Sequence, residues 1–170
     1  MKIVKKFAPI IASVLGLVAI VMIFCTAMVN AEDANEVYAG WQVVFGYSLA
    51  TKVGNSTTYT PVFAFSFMNL VPYILVLGGI ALSVVLFLGK GNKILFWVAV
   101  ALFAVAAVFF FLTWVGAIRE PSMLGDYVLK SGEELKQALT IGFGPIVAGI
   151  CSILAAAAAS APFFIEKFAE

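Results

Sequence analysis

ILFWVAVALFAVAAVFFFLTWVGAI, residues 94–118, decides the fold: 25 residues between Lys93 and Arg119 without a charge. At about 1.5 Å of rise per residue, a helix of that length measures roughly 37 Å and crosses a hydrocarbon core of about 30 Å with some tilt. Trp97 and Trp114 stand 17 residues apart. That is about 25 Å along a helix, which suits two headgroup layers that favour amphipathic indole rings. Lys93 and Arg119 lie just past the ends, where their charged heads reach water. The stretch predicts a transmembrane helix.

Working outward, three further runs have the same character. Residues 7–29 are 23 uncharged residues behind Lys2, Lys5 and Lys6. Pro9 is tolerated there if it falls in the first helical turn. The competing reading of this run is a cleaved signal peptide, since Val29-Asn30-Ala31 resembles a small-residue cleavage site. Signal h-regions of about 7–15 residues are shorter than this run, so an uncleaved first span is expected. Residues 70–88 form the second span, with Asn69 as its expected cap and Pro72 in its first turn. GKGNK, residues 89–93, is a short basic turn that makes the second and third helices antiparallel neighbours. Residues 145–165 form the fourth span, and Gly142-Phe143-Gly144-Pro145 predicts a kink or a restart at its entrance.

The composition fits this reading. Hydrophobic residues make up 64% of the 170 and charged residues 11%, against about 45–50% and 25% in soluble proteins. The net charge of +1 and the lack of a basic run beyond KIVKK leave no electrostatic footprint for nucleic acid. There is no histidine, the usual proton shuttle and commonest metal ligand. Cys25 and Cys151 both fall in apolar runs, without the spacing of a disulfide framework or zinc site. No cofactor or metal is expected.

Two longer segments separate the spans. Within residues 30–69, Trp41, Val43, Phe45 and Tyr47 alternate with Gln42, Val44, Gly46 and Ser48, the period of a strand. Gly54-Asn55 offers a turn, and STTYTPVFAF a second strand that Pro61 confines to an edge or breaks. A β-hairpin outside the membrane is expected; an irregular loop lying on the headgroups is the alternative. In residues 119–144, Ser131 with Glu134 fits a capping box, so a helix should begin near Gly132. With no internal repeat or linker, the expectation is a single integral membrane domain over residues 1–170. Its fold class is all-α, a four-transmembrane-helix bundle with a small extracellular β-hairpin between helices 1 and 2.

The short terminal and 89–93 segments hold Lys2, Lys5, Lys6, Lys90, Lys93 and Lys167. The longer segments hold Lys52, Arg119, Lys130 and Lys136 beside seven acids. The positive-inside rule puts both termini in the cytoplasm, in what is expected to be the plasma membrane. In the fourth span Gly144, Ala148, Ser152, Ala156 and Ser160 recur every four residues, a ridge that lets helix backbones approach closely. Ala101, Ala104 and Ala107 give the third helix a similar smooth side. Phe103 and Phe109-Phe110-Phe111 are expected toward lipid or in gaps between helices.

No Asp, Glu, Lys or Arg falls inside any predicted span, which counts against a proton-coupled transporter, an ion pump or a charge-lined pore. The external carboxylates, Glu32, Asp33, Glu36, Glu120, Asp126, Glu133 and Glu134, have no spacing that predicts a catalytic cleft. The calcium-loop pattern and the Gly-x-Ser-x-Gly elbow are also missing. What remains is surface: Trp41, Phe45, Tyr47, Tyr59 and Tyr127 form an aromatic set of the kind that enriches interfaces. The layout resembles tetraspan junction proteins of the claudin type in topology alone. The paired cysteines of their first external segment are missing from residues 30–68, so neither fold detail nor adhesion carries over.

The expected function is therefore non-enzymatic: a structural, scaffold or accessory subunit in the lipid bilayer. It would bind another membrane protein, or itself as a homo-oligomer. The alternative is a transporter or channel component whose path forms in an oligomer. A lipid-modifying enzyme working through Asp126, Glu133 or Glu134 comes third.

Overall fold

The computed structural model describes residues 2–31, 34–53, 56–89, 92–117 and 139–167. Four helices are long and apolar enough to span a membrane: α1 (Lys2–Val21), α3 (Phe67–Phe87), α4 (Lys93–Phe111) and α6 (Phe143–Lys167). At 19 to 25 residues they measure about 29–38 Å. Among the described residues there are also two short helices, α2 (Gly40–Phe45) and α5 (Thr113–Gly116). Five strands among the described residues make two small sheets. Strands β1 (Thr26–Asn30), β2 (Val37–Ala39) and β5 (Leu139–Ile141) form one, ordered β2-β1-β5 and antiparallel. The antiparallel hairpin of β3 (Tyr47–Val53) and β4 (Ser56–Phe63) forms the other.

The chain groups into two compact units. One comprises residues 1–22, 71–111 and 146–170; the other comprises 23–70 and 112–145. The first is inverted relative to a soluble core. Ala8, Ala12, Ala19, Ala99, Ala106, Ala148, Ala155 and Ala159 are buried, whereas Ile11, Leu17, Leu77, Val105, Ile150 and Leu154 are exposed. Only 28–33% of each candidate span is buried inside the chain. Lipid gives helices no hydrophobic drive to associate, so close approach of small residues takes over, and large apolar side chains turn outward.

Phe103, a fully buried ring, shows how small residues make room. A Cβ on Gly79 would lie 2.8 Å from its Cζ, and one on Gly16 would lie 3.1 Å from its Cε1. Glycine at both positions lets α1 and α3 close on the ring of α4. Phe110 packs edge-on to Tyr73 at 5.0 Å, and Trp97 edge-on to Phe163 at 5.2 Å.

Several helix ends differ from the sequence pattern. The apolar run of 7–29 does not stay helical to Val29: α1 ends at Val21, a 3₁₀ turn (Met22–Phe24) follows, and β1 begins at Thr26. The helix also begins at Lys2, so Pro9 lies in its interior rather than its first turn; Ser13 Oγ donates to the Pro9 carbonyl at 2.9 Å. The cap of α3 is Ser66 rather than Asn69, and Pro72 falls past the first turn. Helix α4 stops at Phe111, and Leu112 (φ −98°, ψ 15°) leads into α5. Trp114 thus lies beyond the break, in α5, and packs on the core of the second unit. At the fourth span the chain restarts after β5, with Gly142 between strand and helix and Pro145 within the first turn of α6. The expected Gly54-Asn55 turn and the helix near Gly132 lie outside the described residues.

Candidate functional site

The second unit carries Trp41, Phe45, Tyr47 and Tyr59 of the aromatic set. Its core is Ala27, Met28, Val43, Phe63, Ala117 and Leu139, with Tyr38, Tyr47, Val62 and Trp114 packed against it. Met28 is fully buried in β1, which explains why the tail of an apolar run leaves its helix: the strand supplies the centre of a core. Tyr38 meets Phe63 edge-on at 5.0 Å and Tyr47 at 6.4 Å.

Residues 40–45 depart furthest from the period-two reading. They form α2, not a strand. Gly40, Val43 and Val44 are buried, while Trp41 and Phe45, one turn apart, are exposed. That is helical spacing. Two neighbours favour the turn: Gln42 Oε1 accepts from the Ala39 N–H at 2.8 Å, and Gly40 has no Cβ to strike the Ile23 carbonyl, 2.8 Å away. Gly46 ends α2 at φ +90° and ψ 153°, a region open essentially to glycine alone.

Both ends of α2 are hydrogen-bonded to residues of the second unit that flank helices in the chain, Cys25 after α1 and Ser66 before α3. Gly40 N–H donates to the Cys25 carbonyl at 3.0 Å, and Ser66 N–H donates to the Val44 carbonyl at 2.9 Å. Every polar group of Ser66 is used. Its carbonyl accepts from Leu70 N–H, its Oγ accepts from Asn69 N–H at 3.2 Å, and the same hydroxyl donates to the Gly116 carbonyl. Sequence reading missed this residue; the signal was Ser66 itself, a strong capping type just before the apolar run of α3.

The hairpin runs from Tyr47 opposite Phe63 to Val53 opposite Ser56, with Pro61 at a register shift near its base. Proline is placed where ladder bonds are already irregular. The cross-strand pairs Ala50–Tyr59 and Lys52–Thr57 share one face, and all four residues are exposed. Tyr59 is 64% exposed in the middle of this ladder.

Compared with known proteins, the chain matches no family model, no curated protein and no solved structure.

The aromatic set therefore divides. Trp41 and Phe45 lie on the outer face of α2, Tyr59 on the hairpin face, and Tyr47 half-buried against the core. Tyr127 lies outside the described residues. In the ridge of α6, Gly144, Ala148, Ser152 and Ala156 are buried and Ser160 half-buried. Ser152 Oγ donates to the Ala148 carbonyl at 2.8 Å, so its hydroxyl is satisfied within the helix. On α4, Ala107 is buried but Ala101 and Ala104 face outward.

Of the external acids, Glu36 is exposed, accepting from Asn30 Nδ2 at 2.8 Å and from Tyr38 O–H at 3.4 Å. Glu32, Asp33, Glu120, Asp126, Glu133 and Glu134 lie outside the described residues. Among the described residues, no group of three or more His, Cys, Asp or Glu side chains could hold a metal ion. Cys25 and Cys151 are free thiols, both half-buried.

Proposed function

We propose that this chain is a non-enzymatic accessory or scaffold subunit of the plasma membrane. Both termini are cytoplasmic, and the hairpin and helix faces bind another membrane protein or a second copy. The observation that carries the reading is Tyr59, a large aromatic residue held outward in the antiparallel β3–β4 ladder. A rigid aromatic with few rotors loses little entropy on binding, which is why tyrosine recurs at interface hot spots. Within the described residues, each hairpin strand also has one edge unpaired, open to strand addition. The exposed Ala101 and Ala104 of α4 offer a smooth face to a partner helix within the bilayer.

The test replaces Tyr59 with a photoreactive phenylalanine in the native membrane, followed by native mass measurement in nanodiscs. A second polypeptide cross-linked at position 59, and co-migrating at fixed stoichiometry, is the expected result. A discrete homo-oligomer cross-linked there means that the partner is a second copy, and conductance then separates a self-assembling scaffold from a pore. A bare monomer with no cross-link refutes both. Orientation is read in a chain without Cys25 and Cys151: Lys52→Cys should label from outside intact cells and Lys93→Cys only after permeabilisation. The reverse pattern overturns the orientation.

A further inference from the structure

We infer that α2 is an interfacial anchor, lying along the membrane surface with Trp41 and Phe45 in the headgroup–acyl boundary of the bilayer. The inference uses the reading of the long helices as spans, but not the binding role of the hairpin. Its basis is the pair of backbone hydrogen bonds at the ends of α2. Cys25, which receives the Gly40 N–H, follows directly on the turn that ends the first span. Ser66, which donates to Val44, is the residue from which α3 starts. The chain leaves the membrane at one of these residues and re-enters at the other, so both stand at the same membrane surface. A helix bonded to both lies along that surface instead of rising from it.

The side chains fit that depth. Trp41 and Phe45 project from one side of α2, while Val43 and Val44 turn into the protein. Phe24, beside Cys25, is 72% exposed, and Phe65 and Phe67, on either side of Ser66, are 52% and 65% exposed. Aromatic residues outward beside every tie point would form an unusually apolar surface in water. At the headgroup boundary the same residues are at home: an indole ring places its apolar body among acyl chains and its N–H toward the polar layer. Charge agrees as well, because no ionisable carboxylate, lysine or arginine occurs between Glu36 and Lys52. Short helices with an aromatic outer face and anchored ends bind the interface by this apolar area.

The experiment places Trp41 alone in the chain by Trp97→Phe and Trp114→Phe, reconstituted in phosphatidylcholine–phosphatidylglycerol vesicles. Some vesicles carry bromine high on the acyl chains. The expected result is blue-shifted emission, with most of the fluorescence lost to brominated lipid and little to acrylamide. Red-shifted emission quenched by acrylamide overturns the inference, because Trp41 then faces water. Blue-shifted emission untouched by either quencher also overturns it, because protein then covers the ring. Trp114 packs on a core, and its replacement could unfold the second unit. In that event 5-fluorotryptophan in the otherwise wild-type chain gives the same answer. With the Trp41 resonance assigned by W41F, it should relax faster with spin-labelled lipid than with a soluble gadolinium chelate; the opposite order overturns the anchor. Failure here leaves the Tyr59 cross-link untouched, and a missing Tyr59 cross-link leaves this depth measurement standing.

Discussion

The fit of Phe103 between glycines makes a quantitative prediction about what holds the span-forming unit together. Gly79→Ala adds a methyl group 2.8 Å from Phe103 Cζ, well inside van der Waals contact. The ring is fully buried and cannot swing away freely, so the overpacking cost should be about 1–3 kcal/mol. Phe103→Ala removes the ring instead. The void is on the order of 100 Å³, and at about 24 cal/mol per Å³ the cavity term is about 2.4 kcal/mol. In a soluble core the total would be about 3–5 kcal/mol. In a bilayer the unfolded reference leaves the ring in lipid, so the water-transfer part drops out and the cavity term dominates.

The double variant separates this reasoning from generic damage. With the ring gone, the methyl group added by Gly79→Ala enters vacated space and no longer clashes. If the sites were independent, the two costs would sum to about 4 kcal/mol; the double variant should cost about 2, a coupling of about 2 kcal/mol. The assay is a dodecyl sulfate titration in mixed micelles. It is read by Trp97 fluorescence, since that ring touches Phe163 across α4 and α6 and reports their separation. Additivity within about 0.5 kcal/mol would refute the reasoning. So would a silent Gly79→Ala, because the ring would then not occupy the slot.

The remaining predictions concern the second unit. Ser66→Ala removes the cap of α3 and leaves the Gly116 carbonyl without its donor. The loss should be about 2–4 kcal/mol in the same titration, roughly one from the cap and the rest from the buried orphan; a loss below about half a kcal/mol would show the hydroxyl to be dispensable. Gly46→Ala forces a side chain into a glycine-only conformation, with its Cβ 3.0 Å from the Phe63 carbonyl, at a cost of about 1–3 kcal/mol. Hydrogen exchange should speed up in β3 and β4 and not in α4. Equal acceleration in both would mean that the hairpin and α4 open together.

What the sequence made legible, and what it hid, follows from the physics of each signal. The long helices were legible because an apolar run near bilayer thickness has few other uses, and all four are present. The hairpin was legible in β4, where threonine and aromatic residues suit a strand; its partner β3 overlaps the alternating stretch only at Tyr47 and Ser48. The same alternation failed over Trp41 to Phe45. In a strand Val43 would share a face with Trp41 and Phe45, yet it is buried and they are exposed, a pattern that one helical turn produces. A backbone approach between Gly40 and Ile23, distant in sequence, tips the choice to helix. Of the site residues, Gly144, Ala148, Ser152 and Ala156 of the α6 ridge are buried, and small residues at fourfold spacing serve close approach. Tyr47 was not recognisable as part of a core, since nothing local distinguishes it from the exposed Tyr59.

The tail of the first apolar run shows why hydropathy alone overextends a span. Residues 7–29 carry no charge because two different demands meet there without a polar boundary. Up to Val21 the outward residues, among them Ile11, Val14, Leu17 and Val21, must be apolar because lipid surrounds them. From Thr26 onward Ala27 and Met28 must be apolar for the opposite reason: they are buried by Val43, Phe63 and Leu139 of the second unit. Transfer scales respond identically to both. The backbone does not, because a strand leaves its N–H and C=O groups to be paired by neighbours. β1 has them on both sides, Val37–Ala39 on one and Leu139–Ile141 on the other. Residues more than a hundred positions away thus decide where the first helix ends, and no window centred on the run contains them. The same logic places β5 just ahead of α6. Once Met28, Val29 and Asn30 need a partner strand, Leu139 to Ile141 supply it, and Gly142 N–H donates to the Ala27 carbonyl at 2.7 Å before the helix begins.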